Sequence, residues 1–373
     1  MGLVGELYSK IEEGREGKNI GLKTGLPKLD FYTGGFRKGV YKLIFSKSSV
    51  GKSSFVIYTD IYRILKDYPD KDIIIVYFSL ELSANTLLAK LLSLYLYETY
   101  GVEVTYMQLM SLTSKLPDEI HQYVVKAREW LESISKKFII YDKQLSADSF
   151  YAEMMELHKH LGIFQKSSDG KRTIYTPNNP EQIVNIVIDH LLLVSPQKGR
   201  SKKEEMDLIS TYCVRFRELC QTSFDIIMQE NRNSTTMDRR KAGMEEPTAD
   251  EVQQSGEPLQ AADICIALFS PFKTQLKSYR NYKIVDSEEG YGLQDICRSI
   301  IILKNRYGVS NRIIMSAFKG SIGMFYPLPK PDEVVYEDYL SWREKEVKDV
   351  NEKDTAVKDT VAKDSKVKIK YSF

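Results

Sequence analysis

The chain has 373 residues, enough for about two or three ordinary domains or for one enlarged α/β domain with appendages. Its 53 Lys and Arg against 51 Asp and Glu leave a net charge of +2, which excludes a global positive field, so any nucleic-acid surface has to be local. With 42% hydrophobic and 28% charged residues the composition is that of an ordinary globular protein, and no apolar run approaches the ~20 residues needed to cross a bilayer. Cys213, Cys220, Cys265 and Cys297 lack paired spacing, which argues against a disulfide framework and for a reducing compartment. The first residues lack the basic and long apolar regions of a signal peptide, so a cytoplasmic location is expected.

Residues 3–12 place Leu3, Val4, Leu7, Tyr8 and Ile11 at helical spacing, a short amphipathic helix that gives way to a polar run ending at Gly21. Strand and turn are expected next, punctuated by Thr24-Gly25 and Thr33-Gly34-Gly35, and then an apolar strand over 40–45 enters a Ser/Gly loop. A helix follows over 53–66, a second buried strand over 72–79 and a leucine-rich helix over 84–100. The alternation continues with helices over 117–135, 147–161 and 207–221, and strands over 137–141, 183–188, 224–228, 263–269 and 299–304. Strands alternating with helices of this length imply βαβ units, hence an α/β fold whose mostly parallel sheet is covered by helices on both faces.

Two stretches interrupt this pattern. Residues 162–182 read as a polar insertion with a hairpin turn at Asp169-Gly170. From 328 to 373 the composition becomes charged, with Lys348-Asp349, Lys353-Asp354, Lys358-Asp359 and Lys363-Asp364 recurring every five residues. That period matches neither helix nor strand, so a disordered tail is expected. The chain therefore divides into a leading helix over 1–20, a body over 21–327 and the tail.

The strongest chemical signal is Ser46-Lys47-Ser48-Ser49-Val50-Gly51-Lys52-Ser53, between a strand and a helix. In that context loop N–H groups converge on phosphate, Lys52 adds a point charge and the Ser53 hydroxyl suits Mg²⁺; Ser46 stands where the usual pattern has its first glycine. Asp189 ends an apolar strand, where a second metal-shell carboxylate would sit, though a strand-end Asp also suits a turn cap. Glu81 lies just past another strand end, a place that a helix N-terminal acid also favours. His158 and His160 diverge on their helix, which does not suit a metal site, and His190 suits a packing or hydrogen-bonding role.

Taken in order, Thr24-Gly25, Leu29-Asp30, Gly34-Gly35, the phosphate loop, Phe78-Ser79-Leu80-Glu81, Ile188-Asp189-His190, Gln229 with Asn231-Arg232, Ser255-Gly256 with Gln260-Ala261-Ala262-Asp263, and Lys304-Asn305-Arg306-Tyr307-Gly308 resemble the RecA-like motor domain of DnaB-type replicative helicases. The resemblance spans roughly residues 1–327 and implies a RecA-like P-loop NTPase of superfamily 4 that uses ATP and Mg²⁺. It makes Ser46 to Ser54 (Ser46, Lys47, Ser48, Ser49, Val50, Gly51, Lys52, Ser53, Ser54) the nucleotide cradle and Ser53 and Asp189 the metal residues. It makes Glu81 the base and Gln229 a γ-phosphate sensor or coupler to DNA. Lys304 and Arg306, two apart and so on one face of an extended segment, would reach into a neighbour's site, which requires a homo-oligomeric ring, expected to be a hexamer. The leading helix would pack on an adjacent subunit. The family's separate N-terminal helical domain is not present in this sequence, which implies another means of assembly and fits a phage-encoded protein acting in host cytoplasm.

By the same resemblance the partners are single-stranded DNA, translocated 5′ to 3′, and a primase or helicase loader. Contacts to DNA are expected from Arg200, Lys202 and Lys203, from Arg232, Arg239 and Arg240, and from Gly256. The family usually has Arg-Glu before Ser-Gly, whereas this chain has Gln253-Gln254, so a charge-assisted contact is lost there. Two other readings stand beside this one: a RadA- or KaiC-like RecA-fold ATPase of recombination or signalling, and a structural ATP-binding protein that no longer turns over. No zinc module or protease-like domain of the RadA kind is visible, and the set Lys52, Glu81, Asp189 and Arg306 weighs against the second.

Overall fold

Short runs of Ile, Val and Phe that can be covered from both sides become the strands β1 (Tyr41–Ser46), β2 (Ile73–Ser79) and β3 (Phe138–Tyr141). A more polar pair follows, β4 (Gly162–Lys166) and β5 (Thr173–Pro177), and then the apolar strands β6 (Ile183–Asp189), β7 (Ser223–Gln229) and β8 (Ile264–Phe269). Two-residue strands β9 (Ser278–Tyr279) and β10 (Tyr282–Lys283) precede β11 (Cys297–Asn305), β12 (Arg312–Lys319) and β13 (Met324–Pro327). The computed structural model describes residues 2–230, 245–252 and 256–343, and its compact body runs to Arg343. Nine of the strands share one sheet in the order β13-β12-β11-β8-β1-β7-β6-β2-β3. The strands from β3 to β8 in that order run parallel, and β11, β12 and β13 add an antiparallel extension.

Alternation along the central strands fills two cores. Leu43 and Phe45 join Ile186, Ile188 and Phe224 on one face, beneath helices Ala147–Leu161 and Lys202–Cys220. Ile44, Ile75, Tyr77, Val187 and Ile227 line the other face with the helix that follows β1 and with Ala84–Tyr100. The helix after β1 is α-helical over Lys52–Val56, takes a π-helical turn over Ile57–Tyr62 and resumes over Arg63–Asp67. On that turn Asp60 meets Lys42 at 2.7 Å, and Lys42 also meets Asp225 at 3.0 Å, so one buried cation joins β1, β7 and the helix.

Several expectations are corrected. Residues 27–33 form a helix, Pro27–Thr33, instead of strand and turn: Pro27 takes the first helical position and Gly34 closes it at φ +80°. Asp30 in that helix accepts from the Thr24 N–H and hydroxyl. The helix expected from 207 begins at Lys202, because Ser201 and Glu204 form a capping box. The insertion is the hairpin of β4 with β5, and Gly170 at φ +70° makes its turn. Residues 328–343 pack on the body: Tyr282 donates to the Pro329 carbonyl, the Lys283 N–H donates to Tyr336, and Arg343 pairs with Asp286. The rest of the expected tail, 344–373, lies outside the described residues.

The leading helix is Leu3–Arg15, and none of its residues is buried. Leu3, Val4, Leu7, Tyr8 and Ile11 all face solvent, so its apolar side does not fold back on its own body. Among the described residues no helix is long and apolar enough to cross a membrane.

Candidate nucleotide site

The site lies at the carboxyl edge of the parallel strands. Ser46, at the end of β1, is level with Gln229 at the end of β7, and Ser79 at the end of β2 is level with Asp189 at the end of β6. These strands are neighbours in the sheet, so their terminal side chains converge by topology. The loop Lys47 to Gly51 rises from β1 and opens the helix at Lys52, with Gly51 at φ +108° and Ser49 at φ +59°. A Cβ at Gly51 would lie 3.2 Å from the Phe318 ring, in a backbone conformation that a side chain also disfavours.

Ser46 and Val50 are buried, so their share of a phosphate cradle is backbone alone. Ser48 accepts from Gln229 Nε2 at 2.7 Å, which joins the expected sensor to the loop. Lys47 approaches Glu230 at 3.8 Å. Ser53 and Ser54 lie in the first helical turn, half-buried. Burial pushes the Lys52 ammonium below its ordinary pKa, while Asp189, Glu81 and Glu230 pull it back up. A cation held near three carboxylates in a partly dry site is well suited to an anionic ligand.

Asp189 is buried, with one oxygen accepting from the Tyr77 hydroxyl at 2.6 Å. Its other oxygen finds no hydrogen-bond partner among the described residues. An orphaned carboxylate oxygen is costly unless a cation or a water shell meets it, so Asp189 fits a Mg²⁺ site shared with Ser53 and phosphate oxygens. Glu81 is exposed beyond β2, 3.8 Å from the His190 imidazole, whose pKa burial lowers. Its open carboxylate can meet a water.

Lys304 and Arg306 are elsewhere. Strand β11 runs antiparallel to β8, so Arg298 lies beside the phosphate loop, with Nε 2.8 Å from the Val50 carbonyl, while Asn305 pairs with Ile264 at the opposite edge of the sheet. Six residues of strand separate Arg298 from Lys304 by about 20 Å. Lys304 donates to the Leu259 and Gln260 carbonyls at 2.8 and 2.9 Å. Arg306 donates to Asp263 and to the Gln260 carbonyl, each at 3.0 Å, and is about half exposed. Burial and the nearby Arg306 lower the Lys304 pKa. These two cations share a face, as expected, and are not brought to the chain's own phosphate loop.

The expected DNA contacts divide. Arg200 pairs with Asp148 at 2.9 Å and lies 3.6 Å from Glu205, so it ties a loop to two helices. Lys202 and Lys203 are exposed in the first turn of their helix. Gly256 opens the short helix Glu257–Ala261. Arg232, Arg239 and Arg240, and the Gln253-Gln254-Ser255 departure, lie outside the described residues. Sequence reasoning misses Tyr77, Lys273 and Arg298. Tyr77 is indistinguishable from core, whereas an arginine in an apolar strand run, Cys297-Arg298-Ser299-Ile300, is a visible anomaly.

A phosphate loop between β1 and its helix, with a strand-end acid at the neighbouring Asp189, defines a P-loop NTPase of RecA-like fold. The DnaB-like helicase C-terminal domain family matches residues 21–326, and the chain belongs to it. It is 26% identical over 270 residues to the replicative DNA helicase DnaB of Helicobacter pylori, covering 71% of this chain and 47% of that one, so it spans about half the length of the curated relatives it matches. In fold it is similar to an ATPase domain solved on its own, with a TM-score of 0.65, 19% identity, and 88% of this chain and all of that one covered. It is also similar to a DnaB-like replicative helicase solved in a study of its interactions with primase, with a TM-score of 0.62, 19% identity, and 88% of this chain and 67% of that one covered.

Proposed function

We propose that the chain is the ATP-hydrolysing motor of a replicative DNA helicase, acting as a homo-oligomeric ring, a hexamer, that moves 5′ to 3′ along single-stranded DNA. The observation that carries this reading is the separation of Lys304 and Arg306 from the loop at Lys52 by the length of the sheet. A chain whose own finger faces away from its own phosphates completes a site only with a second copy. Membership of the DnaB family supports the same arrangement.

In the proposed site the loop N–H groups and Lys52 bind the phosphates, and Gln229, through Ser48, reports on the γ position. Glu81 accepts the proton of the attacking water, and Arg306 of an adjacent copy meets the charge developing on the transferred phosphoryl group. Bound Mg²⁺, held by Ser53 and Asp189, supplies charge neutralisation at the phosphate oxygens. Lys202 and Lys203 contact the DNA backbone without reading sequence. The exposed apolar side of Leu3–Arg15 supports docking on a neighbouring subunit. A primase or loader is the proposed protein partner, and a phage-encoded protein in host cytoplasm the proposed setting.

The test is ATPase activity with and without single-stranded DNA on a sample whose mass is determined in ATP. A ring with DNA-stimulated hydrolysis supports the proposal. A monomer that hydrolyses at full rate contradicts it.

A further inference from the structure

The phosphate loop is gripped from behind by two cations that belong to distant strands. Lys273, in the turn after β8, donates its ammonium to the Ser49 carbonyl. Arg298, on β11, donates Nε to the next carbonyl, that of Val50, at 2.8 Å. Arg298 is among the largest side chains wholly buried in the protein, and its Nη2 has no hydrogen-bond partner among the described residues. Its Nη1 is fixed by Asp295 at 3.0 Å and by the Ser270 hydroxyl at 3.3 Å. Ser270 also accepts from the Lys273 N–H at 3.4 Å, so the two cations share one frame. Phe318, whose ring lies 4.9 Å from the Arg298 guanidinium, is the same ring that crowds Gly51.

In a planar trans peptide the C=O and the following N–H point in opposite directions. Drawing the Ser49 and Val50 carbonyls toward Lys273 and Arg298 therefore turns the Val50 and Gly51 N–H groups away from them. Those are the amides that a loop of this kind offers to phosphate. The loop also needs such a hold, because Ser49 sits at φ +59° without being glycine and Ser46 replaces the glycine that commonly begins the turn.

We propose that Lys273 and Arg298 are positioning residues that orient the Val50 and Gly51 amides for the β-phosphate of a nucleoside di- or triphosphate. The inference rests on the nucleotide reading of the site and goes beyond it in assigning loop geometry to two residues outside the loop. Neither touches the ligand.

The test is equilibrium binding of a fluorescent N-methylanthraniloyl ADP with Mg²⁺ to the full chain. Lys273 is exposed, so Lys273→Met keeps the fold, and the melting temperature without nucleotide stays at the parental value. Its dissociation constant rises at least about tenfold, the scale of losing one charged hydrogen bond, and Lys273→Arg recovers most of the loss. Arg298→Lys, which retains charge but not the forked donor geometry, weakens binding by at least as much. Parental affinity in a folded Lys273→Met protein overturns the proposal, and so does equal weakening by Lys273→Arg and Lys273→Met. If the unmodified chain binds no labelled ADP, the nucleotide reading falls and this inference with it; normal binding by the parent and both variants overturns the inference alone.

Discussion

At the carboxyl edge of the sheet, Asp189, Glu81 and Gln229 surround Lys52, and one Asp189 oxygen is left without a partner among the described residues. At the amino edge, Lys304 and Arg306 are anchored by carbonyls of 259–260 and by Asp263, with Arg306 still about half exposed. The first edge has acids, a hydroxyl and a loop, but its buried arginine, Arg298, is committed to the loop backbone. The second has two anchored cations, one of them open to solvent, and no phosphate loop. The difference teaches that a polarised sheet can separate two halves of a site so that only assembly reunites them.

The largest expected effects break the carboxyl edge. Lys52→Ala should lose tight Mg-ATP binding, whereas Glu81→Gln should bind ATP normally and lose turnover by about 10²–10⁴-fold, because one contacts phosphate and the other moves a proton. Filter binding together with a phosphate-release assay separates the two. Normal hydrolysis by Glu81→Gln would remove it from the role of base.

A second perturbation acts on the joint between the edges. Lys42→Met strands Asp60 and Asp225 without their cation and should cost about 3–5 kcal/mol in urea unfolding. Burial foremost, against the pull of Lys42 and with a push from Asp225, raises the Asp60 pKa to about 6. The folded state thus holds a proton there that the unfolded state releases at about pH 4, so Asp60's contribution is greatest at low pH and is lost as pH rises through 6. Asp60→Asn should therefore gain stability relative to the parent between about pH 4 and pH 7. A constant difference across that range would rule out the surplus carboxylate as the cause.

Much of this is readable in the chain. Runs such as Ile73-Ile74-Ile75-Val76 admit little besides a buried strand, and Glu81, Asp189 and Gln229 stand out because each directly follows or ends one. Other features depend on contacts that no local pattern carries. Tyr77 reaches Asp189 across 112 residues, and Arg298 reaches Val50 across 248. Tyr336, Tyr339 and Trp342 are hidden by the charged composition around them, although their aromatic surface packs against the core beneath β13. Helix Pro27–Thr33 escapes a reading that weighs Pro27 as a breaker, when at a first helical position it is a starter.

Smaller effects sharpen the comparison. Deleting residues 1–16 should shift the oligomer toward smaller species in sedimentation at dilute protein, since Leu3, Leu7 and Ile11 have no cover in their own body. An unchanged distribution would deny the helix an assembly role. Lys202→Ala with Lys203→Ala should weaken single-stranded DNA binding about equally across sequences. The salt slope should flatten by about 0.7 per lost phosphate contact. An unaltered slope would mean that these two lysines only face solvent.

The most direct test mixes two inactive proteins. Arg306→Ala retains Lys52, Glu81 and Asp189, and Glu81→Gln retains Arg306; each alone should hydrolyse ATP poorly, with the missing finger costing about 10³-fold or more. In mixed oligomers, an interface between the finger of a Glu81→Gln subunit and the phosphate loop of an Arg306→Ala subunit holds every proposed group. Partial ATPase activity should return on mixing. Verified mixed oligomers without recovery, or Arg306→Ala alone at the parental rate, would contradict a site shared between the two edges.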